Sequence, residues 1–209
     1  MEIHSPHEPI HSWKEVSKQL AIITVGVLIA LAFEGVVSWI DHRLLVREAV
    51  ANLRREIADN SRELEKLFVE LETEQKNLGH ADEVAQMLID RKKIDNQTLS
   101  LNFHGAELRD ASRKTAEVTG AFGHMDYADV EKYAAIYGLQ ERFNHLQDRT
   151  NENFMSALAG VRLLTEAQPD PVQVQQWKAQ IGVVGTTLFI EEQLARQLQK
   201  RYQAALEAK

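Results

Sequence analysis

The stretch Leu20–Ile40, LAIITVGVLIALAFEGVVSWI, limits what this chain can fold into more than any other feature. Thr24, Glu34 and Ser38 are its only polar side chains, so a helix made from it has no face suited to water. Such a helix is about 31 Å long, close to the roughly 30 Å thickness of a bilayer's hydrocarbon core. The alternative is a buried helix of a soluble domain, but such apolar runs are usually shorter. The sequence therefore predicts a transmembrane helix.

Residues suited to a membrane–water interface flank this stretch. Tryptophan is enriched at that depth, and the long stems of lysine and arginine can reach from it to the headgroups. The predicted interface anchors are Trp13, Lys14, Lys18, Trp39 and Arg43. The chain thus divides into a flexible tail over 1–11, a membrane anchor helix over 12–40 and a helical bundle domain over 41–209.

One stripe of the predicted span carries small or polar side chains. Gly26, Ala30, Glu34 and Ser38 recur every fourth residue and therefore lie on one side of a helix. Small residues let another backbone come close, and a polar group can hydrogen-bond across the contact. We predict that this stripe is a helix–helix contact within the membrane. The alternative is that Glu34 only adds to the cost of insertion.

A heptad pattern of apolar residues follows the span. Two apolar positions per seven residues, sustained over several heptads, are typical of a coiled coil. A polar residue at one of these positions can fix the register of the coiled coil. The same pattern also fits one long helix packed inside its own chain. The predicted seam is Val50, Leu53, Ile57, Asn60, Leu64, Leu67 and Leu71.

The middle of the chain predicts shorter helices and no paired strand. Gly79 stands where a left-handed helix cap is expected, so the long helix is predicted to end there. Further helices are predicted over Ala81–Ile94 and Ala106–Thr119, the latter stopped at Gly120. The alternating residues from Leu99 to Phe103 are interpreted as an extended connector, because a lone strand has no mate.

Two long helices are predicted to close the chain. Asp126 begins the first, and Asp170 caps the second with Pro171 at its first helical position. A short proline-containing turn between two long helices favours an antiparallel hairpin. The fold class is therefore all-α: one transmembrane helix continuing into a long-helix bundle with a C-terminal helical hairpin. The first helix is predicted to bury Val130, Ala134, Tyr137, Phe143, Leu146, Phe154, Leu158, Val161 and Leu164. The second is predicted to bury Val174, Trp177, Ile181, Val184, Leu188, Glu191, Ala195, Leu198, Tyr202 and Ala205.

The sequence offers no catalytic, cofactor-binding or metal-binding motif. Cysteine is absent, which excludes disulfides and thiolate chemistry, and the net charge of −7 without a basic stripe argues against nucleic acid. His4, His7 and His11 could ligate a metal, but no rigid element holds the three rings together. We therefore predict no enzyme activity, no cofactor and no nucleic-acid partner.

A family resemblance adds to this interpretation. The run Gly26-Val-Leu-Ile-Ala-Leu, followed by Trp39, Arg43, Leu53 and Glu56, resembles the N-terminal anchor of a broad group of uncharacterised bacterial single-pass membrane proteins. In that family a helical domain follows the anchor. The resemblance covers about 26–56 and implies a bacterial membrane protein of unknown function, with no catalytic residues to carry over.

The function expected from these features is a membrane-anchored helical interaction module, either an oligomeric scaffold or an accessory subunit of a membrane complex. Its partners would be the lipid bilayer and a second copy or another membrane protein. The alternative is an extracytoplasmic ligand-sensing domain, which would need a separate output protein, since only a short segment precedes the span. Lys14 and Lys18 before the span balance Arg43 and Arg47 after it. The short tail nevertheless favours a periplasmic domain on a bacterial inner membrane.

Overall fold

The computed structural model describes residues 13–92, 99–166 and 168–207. Helices account for 88% of these residues and none of them forms a strand, which confirms the predicted all-α class. The α-helices are α1 (Trp13–Ile89), α2 (Ala111–Val118), α3 (Tyr127–Leu158) and α4 (Pro171–Glu207). Two 3₁₀-helices cover Ala121–His124 and Ala159–Thr165.

The chain divides into two compact units. The first extends to Glu48 and contains the apolar segment, and the second runs from Ala49 to the end of the chain. The first 48 residues include the undescribed tail, so that unit is described only from Trp13. The predicted boundary between anchor and domain, after Ile40, lies inside the first unit.

The predicted end of the long helix at Gly79 is wrong. α1 continues through Gly79 to Ile89, so the predicted separate helix over Ala81–Ile94 belongs to it as far as it is described. The apolar stripe continues without interruption, because Leu78, Ala81, Val84 and Ala85 are all buried. The left-handed residue that ends the helix is Arg91, with φ of 55°. The amide of Lys92 donates to the Met87 carbonyl at 2.9 Å and that of Arg91 to Leu88 at 3.1 Å, the pattern of a Schellman cap.

The helix predicted over Ala106–Thr119 is also too long. Only Ala111–Val118 is α-helical, because side chains from distant helices take the backbone groups of the residues before it. Gln147 accepts from the amide of Ala106 at 2.8 Å and donates to its carbonyl at 3.1 Å. Gly120, with φ of 74°, lies just past the helix end, as predicted for its stop.

The start and core face of α4 are confirmed. The Asp170 carboxylate accepts from the Val172 amide at 3.0 Å, and Pro171 is the first helical residue. All ten positions predicted to face the core are buried, including Glu191. The periodicity of this helix is therefore sufficient to define its buried side.

The predicted core face of α3 is only partly right. Tyr137, Phe143 and Phe154 are buried, but Ala134 and Leu158 are exposed. α3 also ends at Leu158, and a 3₁₀-helix replaces the predicted continuation. The stripe that the neighbouring helices actually cover comprises Tyr133, Ile136, Tyr137, Leu139, Gln140, Phe143, Thr150, Phe154 and Ala157.

Hydrogen bonds between distant residues connect three helices of the second unit. The Trp177 indole at the start of α4 donates to the Ala157 carbonyl near the end of α3 at 2.8 Å. Lys178 lies 2.6 Å from the Asp82 carboxylate of α1. Gln199, towards the other end of α4, donates to the Ser61 hydroxyl of α1 at 2.9 Å. α1 is thus bonded to both ends of α4, and α3 is bonded to its start.

Candidate functional site

The apolar segment of α1 is the first candidate site, and its side chains are uncovered on every side. This is the one described helix long and apolar enough to cross a membrane, and none of its most apolar window is buried. Exposed fractions of its large apolar side chains run from 44% at Ile40 to 69% at Phe33. An apolar helix with no water-compatible face requires an apolar environment from outside the chain.

The predicted membrane stripe lies on this uncovered surface. Gly26, Ala30, Glu34 and Ser38 are all exposed. A Cβ atom built on Gly26 would meet nothing within 4 Å, so this side of the helix has room for a close neighbour. Helix–helix contact through the stripe remains a prediction.

The predicted interface anchors are also exposed, and two of them contact each other. Trp13 is 86% exposed, and Lys14 and Lys18 lie on the surface beside it. The Arg43 guanidinium carbon lies 4.3 Å from the centroid of the Trp39 ring, which is a cation–π contact. The four-residue spacing of the pair could have indicated this contact, since such residues are neighbours on a helix.

The predicted coiled-coil seam is covered by its own chain. Val50 is half-buried, and Leu53, Ile57, Asn60, Leu64, Leu67 and Leu71 are buried. These side chains need no second copy to leave water. A coiled coil between chains remains a prediction that their burial does not require.

Asn60 organises a buried polar network across three elements. Its side-chain oxygen accepts from the Arg109 amide at 2.8 Å, and its side-chain nitrogen donates to the Arg109 carbonyl at 2.7 Å. Gln140 donates to that same carbonyl at 2.9 Å and accepts from the Tyr202 hydroxyl at 2.6 Å. The network fixes the segment before α2 against α1, α3 and α4, so this seam asparagine sets an arrangement within one chain.

A buried carboxylate one turn away anchors α2. Glu56 accepts from the Tyr137 hydroxyl and from the Ser112 amide, each at 2.7 Å. Burial, and then the hydrogen bond to Glu56, raise the pKa of Tyr137 well above its ordinary value. The phenol therefore stays protonated and acts as a fixed donor to the carboxylate.

Replacing Tyr137 with phenylalanine should lower the free energy of unfolding by about 1–3 kcal/mol, because a buried carboxylate oxygen loses its donor. Chemical denaturation followed by circular dichroism measures this change. Tyr127→Phe is the matched control, since Tyr127 is 82% exposed. Equal stability of the two variants would contradict the role given to the hydroxyl.

A cleft of about 480 Å³ opens beside this network, lined by residues of α2 and α3 together with Asp110 before α2 and Phe122 after it. It contains both cations of α2, but each is already paired with carboxylates. Arg113 lies 2.6 Å from Glu117 and 3.2 Å from Asp110, and Lys114 lies 3.0 Å from Asp110. The cleft could bind a small polar ligand, but it has no aligned nucleophile and base.

Two further buried acids, Glu74 on α1 and Glu191 on α4, lie close enough for their charges to interact. Glu191 is 0% exposed, and neither of its carboxylate oxygens has a hydrogen-bond partner among the described residues. The neighbouring Thr150 hydroxyl donates instead to the Leu146 carbonyl at 3.0 Å. Burial, with the nearby charge of Glu74, raises the pKa of Glu191 to about 7.

Glu74, the other member of the pair, is 2% exposed and has one partnered oxygen. That oxygen accepts from the His104 amide at 2.6 Å and lies 3.1 Å from its Nδ1 atom. Burial outweighs these contacts and raises the pKa of Glu74. Both acids occupy seam positions of apolar helix faces. A carboxylate at a position where the pattern expects an apolar residue is the sequence signal for such a buried acid.

Metal binding finds no support in the described parts of the chain. Within residues 13–92, 99–166 and 168–207, no group of three or more histidine, aspartate or glutamate side chains is placed to hold a metal ion. His4, His7 and His11 lie outside the described residues.

Comparison with known proteins does not assign the chain to a family. No family model, no curated protein and no solved structure matches it.

Proposed function

We propose that this protein is a membrane-anchored helical interaction module, serving as an oligomeric scaffold or as an accessory subunit of a membrane complex. One observation carries the proposal: every residue from Leu20 to Ile40 is exposed within the chain. Leaving a large apolar side chain in water costs about 1.5–3 kcal/mol relative to burial. Repeated along the whole segment, that penalty strongly favours insertion into a bilayer.

The contacts of the second unit support a bundle with a C-terminal antiparallel hairpin as its architecture. Trp177, early in α4, is bonded to Ala157, late in α3. Tyr202, late in α4, is bonded to Gln140, which lies nearer the start of α3 than Ala157 does. Two helices whose opposite ends meet in this way run antiparallel.

We further propose that the anchor lies in a bacterial inner membrane with the helical domain on the periplasmic side. The family resemblance supports a bacterial membrane, and Lys14 and Lys18 before the span suit its cytoplasmic face. A reporter fused after Lys209 tests it. Alkaline-phosphatase activity is expected, whereas fluorescence of a reporter that matures only in the cytoplasm would contradict the orientation.

Native mass measurement of the detergent-extracted protein tests the interaction module. The expected result is an oligomer, or the chain together with a co-purifying membrane protein. A strict monomer with no partner would overturn the proposed function.

The alternative function is a ligand-sensing domain that works with a separate output protein. The cleft beside α2 and α3 favours it, because its volume suits a small molecule. We rank it second, since Arg113 and Lys114 are held by Asp110 and Glu117 and therefore offer no unpaired charge for recognition.

Substitutions on the membrane stripe should distinguish helix association through close packing from helix association through hydrogen bonding. Gly26→Leu and Ala30→Leu are expected to weaken association sterically, since a leucine keeps the neighbouring backbone away. Glu34→Gln should largely preserve association because the amide still hydrogen-bonds, whereas Glu34→Leu should lose about 0.6–2 kcal/mol of it. Chemical crosslinking in membranes measures the effect. If both leucine variants on the small residues assemble as the unaltered chain does, the stripe faces lipid.

A further inference from the structure

The segment that leads into α2 has no helix or strand of its own, yet side chains of the helices hold it in place. We call its described part, residues 99–110, the strap. Three of its backbone amides donate to side chains of α1 and α3: His104 to Glu74, Ala106 to Gln147, and Arg109 to Asn60. Two of these acceptors are neutral side-chain amides. Glu74 is therefore the one acceptor of the three whose charge depends on pH.

The contact between Glu74 and the strap lies where the core meets solvent. The Glu74 side chain is 2% exposed, whereas that of His104 is 51% exposed. One carboxylate oxygen of Glu74 accepts from the His104 amide at 2.6 Å, and the other has no partner among the described residues. At this point the strap covers a buried carboxylate and keeps water from it.

A second buried carboxylate, Glu191 on α4, lies close to Glu74. The next residue on each helix shows how near the two backbones come, because the Gln75 side-chain nitrogen donates to the Glu192 carboxylate at 2.9 Å. Glu191 is 0% exposed, and both of its oxygens lack a partner in the described chain. The nearby Thr150 hydroxyl donates to a carbonyl of its own helix at 3.0 Å. Three buried carboxylate oxygens thus lack a donor in one part of the core.

No lysine or arginine is paired with either buried acid within the described ranges 13–92, 99–166 and 168–207. The other titratable groups of this region are His104 on the strap, Glu70 on α1, which lies 3.6 Å from the His104 ring, and Glu192 on α4, which is paired with Arg196 at 2.6 Å. Two ionised carboxylates would therefore repel each other in the core without a compensating cation. Retaining a proton on the pair avoids that cost.

We propose that Glu74 and Glu191 form a proton-operated clasp, which holds residues 99–104 of the strap while the pair keeps a proton and releases them when that proton is lost. Repulsion within the ionised pair is relieved if Glu74 turns out into water. That movement breaks its contact with the His104 amide. The part of the strap held by neutral side chains stays in place, so the opening is local. This device goes beyond the proposed function and does not depend on the membrane anchor.

The direction of the switch follows from the same surroundings. Burial, with the charge of Glu74, raises the pKa of Glu191 from the ordinary 4.5 to about 7. In the open strap, where water reaches the pair, the pKa returns towards its ordinary value. The closed strap therefore has its full stability below about pH 4.5 and loses it as the pH rises to about 7. Above that pH both states are ionised, and opening should not increase further.

Hydrogen–deuterium exchange of the full chain in detergent, resolved to single amides, tests the clasp. Exchange at the His104 amide, corrected for its intrinsic pH dependence, should rise at least about tenfold between pH 5 and 7 and stay level up to pH 8. The Arg109 amide is the internal control, because neutral Asn60 holds it in the same strap. Its protection should be retained. Equal loss of protection at both amides would show global unfolding and would overturn a local clasp.

Three variants identify which group carries the proton. Glu191→Gln should remove most of the pH dependence at the His104 amide, because glutamine has no proton to lose. Glu70→Gln is the matched control, with a side chain 46% exposed, and it should follow the unaltered chain. Histidine side chains also change charge near neutral pH. His104→Gln removes the imidazole but keeps the backbone amide, and the pH dependence at position 104 should persist.

Unchanged pH dependence in Glu191→Gln would overturn the proposal, as would its loss in His104→Gln or a flat profile of the unaltered chain. Glu74→Gln is a second test, in case Glu191→Gln does not fold. Its side-chain oxygen can still accept from the His104 amide, so the strap should stay bound with a flat pH profile. A strap that opens with pH in Glu74→Gln as it does in the unaltered chain would equally rule out the clasp.

Discussion

Glu191→Gln should raise the free energy of unfolding at pH 8 by about 2–3 kcal/mol and leave it nearly unchanged at pH 4. The carboxylate is fully buried, and neither of its oxygens has a partner in the described chain. Its folded-state pKa of about 7 exceeds the ordinary value of 4.5. The glutamine has no proton to lose, so the variant avoids the cost of ionising a buried acid.

The sign of this pH dependence follows from which state releases the proton first. Between about pH 4.5 and 7 the unfolded chain ionises Glu191 while the folded chain keeps it protonated. The unfolded state then binds fewer protons, and stability falls as the pH rises through this window. Glu74 on α1, whose pKa is also raised by burial and whose charge acts on Glu191, should add to the same trend.

Chemical denaturation of the detergent-solubilised chain at pH 4, 6 and 8 measures the effect. Glu141→Gln on α3 is the matched control, because its side chain is 76% exposed. We expect the control to follow the unaltered chain at every pH. Parallel pH profiles for Glu191→Gln and the unaltered chain would show that the buried acid is already paired or solvated.

Gly160→Ala should lower the free energy of unfolding by about 1–3 kcal/mol. A Cβ atom at this position would overlap the Trp177 ring. That ring is 1% exposed, and its indole nitrogen donates to the Ala157 carbonyl at 2.8 Å. It therefore cannot move aside without losing the hydrogen bond and its packing.

The matched control is Gly138→Ala on α3, where a Cβ atom would meet nothing within 4 Å. Because alanine is the better helix former, this variant should be neutral or up to about 1 kcal/mol more stable. Thermal unfolding of both variants gives the comparison. Equal melting temperatures would contradict the tight contact between Gly160 and Trp177.

The helices that were predictable are those whose apolar pattern is unbroken. In α4 the buried positions recur by three and four from Val174 to Ala205, so the sequence alone defines the core face. The predicted helix end at Gly79 was wrong because it was inferred only from the preference of glycine for helix caps. The apolar pattern of α1 continues past Gly79 to Ala85. The actual left-handed cap is Arg91, which residue preferences do not suggest.

Contacts between residues far apart in the chain could not be predicted from the sequence. Asn60 was recognised as a polar seam residue, but its partners Arg109 and Gln140 lie 49 and 80 residues away. The same contacts shorten α2, because they take backbone groups that a longer helix would use. The sequence places Glu191 correctly on the core face of α4. That its carboxylate lacks a hydrogen-bond partner could not be predicted, because this depends on how three helices pack together.

Carbonate extraction of membranes tests the anchor, the central claim, most directly. We expect the unaltered chain to stay in the membrane pellet at alkaline pH. Leu28→Lys combined with Leu31→Lys should move the chain to the supernatant, because each charge near the centre of a span costs about 2.5–3.5 kcal/mol. Release of the intact, unaltered chain into the supernatant would contradict the membrane anchor.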